Sequence, residues 1–408
     1  MSPRRSSKLE NPEESPFLRE ALQVAYYHCV LEMPLKSIAD QLGKSPATIT
    51  RRLDEVRQAG WLRDRPQFDP PAHLWNELQS HMTCANIEAD LQEAFGSNLL
   101  SKITVLPTAI RPPEDPTRDS NAASLLRASK FAAHRLSEFL ATGPHVVGIN
   151  WGWSVRQCIT NLQPTAPNPE LQFLPMVGNL SLDETDPHFE EAIECSSNRL
   201  AQAAATAFGA PRAPRLSTPA YIPRRFHKDR AGLLAIRDFI QNDTSYRRIF
   251  GDDTQSGLID QVDTILTGLT SLDVRTLPLY RPNLITEDDI PVLHRAGVLG
   301  DIALHLVASL TVPSETAKVA EGRELVKTLN DLIVGASPDD FLRVAQRARG
   351  VNPKGLGVVV VAVGPWKAPI LTAAIRMGVI NELVTDQETA QSIGRELGLH
   401  FVNSGQNQ

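Results

Sequence analysis

Four cysteines in 408 residues, Cys29, Cys84, Cys158 and Cys195, leave no paired spacing of the kind a zinc site or redox motif needs. Buried, reduced thiols are the expectation. The ten histidines form no HExxH or HxH pattern, so no metal site and no metallohydrolase is expected. No stretch approaches about 18 consecutive apolar residues, which argues against a transmembrane helix. The N-terminal MSPRRSSKLENPEESP is polar and lacks the apolar core of a signal peptide, so a tail in the cytoplasm is expected. Neither GxGxxG nor a Walker A sequence occurs, which argues against a dinucleotide or ATP; no cofactor is expected.

What is present points to a folded, soluble chain. A hydrophobic content of 42% is ample for sizeable cores, and the length predicts two or three domains. The formal net charge of -6 hides an asymmetry: residues 1–65 carry 11 Lys plus Arg against 9 Asp plus Glu, leaving 30 against 38 elsewhere. Only the N-terminal end is net positive. An excess so small makes affinity for a polyanion depend on a few well-placed cations and on oligomerisation.

Residues 35–65, LKSIADQLGKSPATITRRLDEVRQAGWLRDR, read as a helix-turn-helix. Leu35, Ile38, Ala39 and Leu42 lay one apolar stripe on a short helix, and Gly43 ends it. Ser45 and Pro46 supply an N-cap hydroxyl and a residue suited to the first helical position. Ile49, Leu53 and Val56 give the second helix a buried face. Ala47, Arg51 and Gln58 project away from that face, with Thr48, Thr50 and Arg52 on its flanks. Arg51 is the candidate for bidentate pairing to guanine, Thr48, Thr50 and Arg52 suit the backbone phosphates, and Ser45 and Ala47 at the helix start complete the expected DNA-contacting set. A preceding helix with Leu18, Leu22, Ala25 and Cys29 completes a three-helix core, and Ala59 to Leu62 turn into a short wing. The plain alternative is a small helical subdomain of the same spacing.

Pro66, Pro70 and Pro71 favour extended backbone and place a linker at 66–72. Leu74 and Leu78, then Ile87, Leu91 and Phe95, recur at helical spacing. From about residue 100 short β-rich runs alternate with amphipathic helices, the pattern of a parallel α/β sheet. Strands are predicted at 103–107, 145–149, 171–177, 263–269 and 356–364, with helices at 119–140, 188–208 and 367–377.

Several of these strands run into glycine-bearing loops, and open α/β sheets bind ligands beyond the carboxyl ends of their strands. The first loop is Asn150-Trp151-Gly152-Trp153-Ser154, whose helix start suits an anion such as phosphate. Gly178-Asn179, Thr270-Ser271 and Gly364-Pro365-Trp366-Lys367 follow the later strands. Each alone is ordinary turn chemistry. Repetition along one sheet edge predicts a polar, phosphate-accepting site.

Across about residues 17–400 the chain resembles the SorC family of bacterial transcription regulators. The likeness rests on SIADQLGKSPATITRRLDEVRQAGWL in the N-terminal part, then GINWGWS at 148–154, SSNRLAQAAATAFGA at 196–210 and STPAYIP at 217–223. VLGDIALHL at 298–306, TLNDLIVGAS at 328–337 and VVAVGPWKAPILTAAIRMGVINELVTDQETA at 360–390 complete it. The resemblance implies an N-terminal winged helix-turn-helix followed by a Rossmann-like α/β effector domain, similar to sugar-phosphate isomerases and glucosamine-phosphate deaminases. Its boundaries would be a disordered tail at 1–16, a DNA-binding domain at 17–65, linker and helix at 66–85, and an effector-binding and oligomerisation domain at 86–404.

The resemblance further implies a phosphorylated sugar or related effector, operator DNA as partner, and a homo-oligomer, a tetramer. Its contacting positions would be Gly148, Asn150, Gly152, Ser154, Asn179, Gly268, Asp301 and Lys367, with Lys367 balancing phosphate and Asp301 accepting sugar hydroxyls. The chain departs from the family where Ala303, Leu304, His305 and Leu306 replace a glycine and an aromatic pair, where Thr270 replaces a second glycine, and where Asn179 replaces a frequent glycine. The expectation is a ligand-responsive regulator and not an enzyme. The alternatives are a sugar-phosphate isomerase or deaminase, with Asp301 as its acid or base, and a regulator whose altered site serves oligomerisation alone.

Overall fold

The computed structural model describes residues 16–29, 33–59, 62, 83–109, 120–180, 189–252, 254–272, 279, 284–309, 316–399 and 401. The expected tail before residue 16, the linker at 66–72 and the Leu74–Leu78 stripe lie outside them, as do Gly60 and Trp61 of the expected wing. The chain divides into two compact units, Met1–Ala85 and Asn86–Gln408.

Among the described residues up to 62 the first unit has three helices: α1 (Pro16–Cys29), α2 (Leu35–Leu42) and α3 (Pro46–Gln58). Apolar residues at helical spacing bring Leu22, Ala25 and Tyr26 of α1 against Ile38 and Ala39 of α2 and Ile49, Leu53 and Val56 of α3. Gly43 sits in the left-handed region at φ 61°, where only glycine is free of a Cβ penalty, and its N–H closes α2 on Ala39 and Asp40 carbonyls. Ser45 then caps α3 by accepting from the Thr48 N–H at 3.2 Å, with Pro46 at the first helical position.

The second unit is organised by a six-stranded sheet in the order β1-β11-β10-β6-β2-β3. These strands are β1 (Lys102–Leu106), β2 (Val146–Ile149), β3 (Gln172–Pro175), β6 (Thr264–Thr267), β10 (Gly357–Val361) and β11 (Glu382–Asp386), and every pairing is parallel. Between them in sequence, β4 (Gly251–Asp252) and β5 (Gln255–Ser256) form a small hairpin. A second small sheet joins β7 (Thr270–Ser271), β8 (Val298–Ile302) and β9 (His305–Ala308), all antiparallel. The helices Ser120–Phe139, Trp153–Thr160 and Ser197–Ala207 share one apolar core with the sheet, centred on Phe131, Leu136, Ile149, Phe173 and Phe208.

All five expected strands are present: the first is displaced by one residue to Lys102–Leu106, and the other four are shorter than their sequence patterns. The sixth main strand, β11, was not expected, because its ELVTD pattern carries acidic residues at both ends. Those acids have interior partners. Glu382 accepts two hydrogen bonds from the Arg135 guanidinium, at 2.7 and 2.6 Å, and Asp386 caps the last helix by accepting from the Thr389 N–H. The helical run expected at 188–208 is two helices, Phe189–Glu194 and Ser197–Ala207, broken where Ser196 caps the second. Of the four thiols, Cys158 and Cys195 are buried, whereas Cys29 and Cys84 are half-buried, which corrects the expectation for those two.

Candidate functional site

On α3 the exposed surface carries Ala47, Thr50 and Arg51, with Ser45 exposed and Thr48 half-exposed at the helix start. Two hydroxyls also have structural duties: Ser45 Oγ lies 2.9 Å from Thr48 Oγ1, and Thr50 Oγ1 donates to the Pro46 carbonyl at 3.1 Å. Arg52 does not join this face, contrary to expectation. It is 4% exposed, and its Nε donates to Glu20 at 3.2 Å while Nη1 donates to Glu55 at 2.9 Å. Burial alone would favour its neutral form, but the two carboxylates outweigh that and hold the guanidinium charged. Arg52 therefore ties α3 to α1. Helix periodicity puts Arg52 on a flank of α3, and Glu20, 32 residues earlier, turns that flank inward.

In the second unit the chain order reverses between β2 and β6. From β2 the next strand in sequence lies on one side of the sheet, and from β6 the chain winds toward the other. Ligands in open α/β sheets bind at such a crevice, beyond the carboxyl ends of the strands. Asn150 spans it: its Nδ2 donates to Thr267 Oγ1 at 2.7 Å, and its Oδ1 accepts from the Trp151 N–H at 2.9 Å. With 1% exposure and both amide ends engaged, Asn150 positions the loop.

The loop then turns through Gly152 at φ 124°, a conformation that side chains rarely adopt. Its N–H donates to the Cys195 carbonyl at 3.0 Å, which is freed by the helix break at Ser196. Trp153 follows as the first residue of the helix Trp153–Thr160, so the next N–H groups have no partner within the helix. Ser154 is buried against Gly268, where a Cβ would lie 2.4 Å from Ser154 Oγ. The first and third loops thus meet face to face.

Two expected contacts play other parts. A Cβ on Gly148 would lie 2.4 Å from Met176 Sδ, so this glycine lets β2 pack against the end of β3. Asn179 Oδ1 accepts from Asn198 at 2.9 Å, and its backbone N–H donates to the Thr218 carbonyl at 3.0 Å, which fixes the segment after β3.

Asp301 reaches the site through the small sheet, where it pairs with Thr270 on β7. One carboxylate oxygen accepts from the Leu304 N–H at 3.1 Å; the other, Oδ1, is buried with no hydrogen-bond partner. Burial pushes this carboxyl up to about 7, against the Leu304 N–H, the Thr270 hydroxyl and the Lys367 charge, all of which favour ionisation. Lys367, on the turn Pro365–Lys367 after β10, is in turn pushed down to about 8 by burial, with Asp301 opposing. A buried acceptor without a partner costs about 1–3 kcal/mol, and a ligand hydroxyl at Oδ1 would recover it. The β8–β9 turn beside it holds Ala303 at φ 52° and Leu304 at φ 71°. His305, buried next to this turn, lies 3.1 Å from the Ala303 carbonyl through Nδ1, and burial drives it down to about 4. Sequence pattern could not find this carboxylate environment, because the turn residues are apolar and carry no glycine signal.

Among the described residues no cluster of three His, Cys, Asp or Glu is placed to hold a metal ion, and no helix is long and apolar enough to cross a membrane.

Residues 80–393, well over half of the chain, match the family model Sugar-bind, described as a sugar-binding domain. A deoxyribonucleoside regulator of Bacillus subtilis (strain 168) is 23% identical over 362 residues, spanning 89% of this chain and 93% of the relative. The full-length sorbitol operon regulator SorC from Klebsiella pneumoniae shares the fold with a TM-score of 0.51 at 20% identity, over 93% of this chain and 99% of its own. A DeoR family transcriptional regulator from Listeria monocytogenes does so with a TM-score of 0.52 at 20% identity, over 76% of this chain and 98% of its own. With the model matched over residues 80–393, the chain belongs to the sugar-binding-domain family, and it shares its fold with the regulators named above.

Proposed function

We propose that this protein is a DNA-binding transcription regulator whose operator binding changes when a phosphorylated sugar or related metabolite occupies the β2–β6 switch point. The observation that carries the reading is Asp301: a buried carboxyl with one oxygen unpartnered, coupled to Lys367, at the ligand-binding edge of a parallel sheet. In this reading the start of the helix Trp153–Thr160, with Gly152 and Ser154, receives the phosphate, and Lys367 balances its charge. Asp301 accepts a sugar hydroxyl. Gly268 lets Ser154 come close, since a Cβ there would collide with Ser154 Oγ, and Asn150 holds the two loops in register. Gly148 and Asn179 act through packing behind the site.

The output lies on α3. Arg51 reads a base edge, most simply guanine, while Ser45, Ala47, Thr48 and Thr50 approach the backbone. The small positive excess of residues 1–65 supports binding as a homo-oligomer, a tetramer, in which several weak contacts add. The ligand acts through its different affinities for two arrangements of the protomers. The relatives named above are regulators, and the role proposed for the site is sensing without turnover.

The test is operator binding by fluorescence anisotropy, with and without a panel of sugar phosphates, on the intact chain and on Lys367→Met. A shift in operator affinity that Lys367→Met abolishes is expected. A regulator that answers no metabolite, or a Lys367→Met protein that answers normally, would sink the effector reading. Product formation by mass spectrometry on the same panel would instead identify an enzyme.

A further inference from the structure

The helix Arg230–Gln241, RAGLLAIRDFIQ, has an unusual division of its surface. One side is held by the protein: Ile240 is buried, Leu233 and Ile236 are half-buried, and Arg237 donates to the Asp331 carbonyl at 2.7 Å. The opposite side is exposed along its whole length and consists of Arg230, Ala231, Leu234, Ala235, Asp238 and Phe239. Two large apolar side chains stand on it, with Leu234 56% and Phe239 78% exposed.

An exposed apolar stripe on a rigidly seated helix marks an interaction surface. Here the residues also specify what fits it. Arg230, Leu234 and Asp238 follow one another at successive i, i+4 positions, so they form a single row with the leucine midway between opposite charges. If two copies of this helix lie antiparallel about a two-fold axis at Leu234, each Arg230 stands level with Asp238 of the other copy. The pairing occurs twice. The same arrangement brings Phe239 of one helix to within about 3 Å, along the axis, of the level of Ala231 in the other, where a small residue leaves room for a ring. A surface that is its own complement in charge and in shape is the requirement of an isologous contact. Both Arg230 and Asp238 are exposed, and Asp238 accepts a local hydrogen bond from Asn242 through Oδ1 at 3.0 Å.

We infer that the outer face of the helix Arg230–Gln241 joins two copies of this chain through an antiparallel helix pair centred on Leu234. The inference rests on the oligomeric part of the reading above and gives it a location. It requires no ligand at the switch point.

Analytical ultracentrifugation of the full chain tests it with charge reversal. Arg230→Glu and Asp238→Arg each place like charges in both contacts, and each is expected to weaken association at least tenfold. The double variant restores both contacts with the signs exchanged and is expected to recover the wild-type assembly. Phe239→Ser should weaken association without affecting the sign exchange. If the wild type assembles and both single variants assemble equally well, the helix is not the interface, although the oligomer stands. A double variant as dissociated as the singles also overturns the pairing. A wild type that sediments as a monomer overturns both.

Discussion

Asn150 Nδ2 donates to Thr267 Oγ1 across the join between β2 and β6, at 2.7 Å and out of contact with solvent. The bond ties together two loops that are separated by more than a hundred residues of chain, at the one place in the sheet where strand order reverses. Thr267 completes the relay by donating to the Gly268 carbonyl at 2.9 Å. Loss of the amide through Asn150→Leu leaves the Thr267 hydroxyl and the Trp151 N–H short of a partner, at a cost of about 1–3 kcal/mol. Chemical denaturation should register that loss, and effector response should fall with it.

Gly152 and Gly268 are both required, for different reasons that can be separated. A Cβ at Gly152 meets nothing within 4 Å, so Gly152→Ala fails only through its φ of 124°. At Gly268 no such φ is involved; the new Cβ collides with Ser154 Oγ at 2.4 Å, with Ser154 Cβ a comfortable 3.8 Å away. Gly268→Ala is therefore expected to cost about 1–3 kcal/mol. Adding Ser154→Ala should recover most of the loss in the Gly268→Ala protein and none of it in the Gly152→Ala protein, as read from urea midpoints.

Arg51 and Arg52 are neighbours with opposite assignments. Arg51→Ala should leave the melting temperature unchanged and weaken operator binding by about 1–3 kcal/mol, or roughly five- to 150-fold, with a smaller salt slope. Arg52→Ala should do the reverse in the first instance: it takes the guanidinium from Glu55 and leaves Glu20 with Lys44 at 3.6 Å, and so lowers the stability of the N-terminal unit. Glu20 and Glu55 keep some contact with solvent, so the expected cost is nearer 1 kcal/mol than the value for a fully buried pair. Equal effects of both substitutions on melting would contradict the burial of Arg52.

The raised Asp301 carboxyl gives the stability a defined pH dependence. The native state holds this proton up to about pH 7, while the unfolded chain releases it near the ordinary carboxylate value of 3.8. Between those limits the native state binds more protons, so the contribution of this group to stability falls as pH rises, and it is constant above. Asp301→Asn keeps an oxygen for the Leu304 N–H and removes the titration. Relative to wild type, the variant should be more favourable at pH 8 than at pH 5 in urea melts. An unchanged difference between the two pH values would mean that Asp301 titrates normally.

Much of this molecule is legible along the chain. The α2–α3 turn is fixed by Gly43, Ser45 and Pro46, whose conformational preferences act within a few residues and need no distant partner. The five expected strands are visible for a similar reason, since β-branched and apolar runs flanked by turns describe a buried parallel strand without reference to its neighbours. The ELVTD strand is not, because Glu382 and Asp386 make it look exposed until Arg135 and the Thr389 N–H are placed beside it.

Along the chain alone one can read the classes of element, the exposed face of α3 that carries Arg51, and the glycine-bearing loops that follow the strands. Local preference and periodicity act over a turn of helix or a few residues of strand, so they can be read in one dimension. The tertiary structure alone decided that Arg52 turns inward to Glu20, that Asn150 and Gly148 serve packing and register, and that Asp301 keeps a buried oxygen without a partner beside Lys367. Each of those outcomes depends on which distant atom arrives within a few ångströms, and burial and charge coupling take their values only from that arrangement.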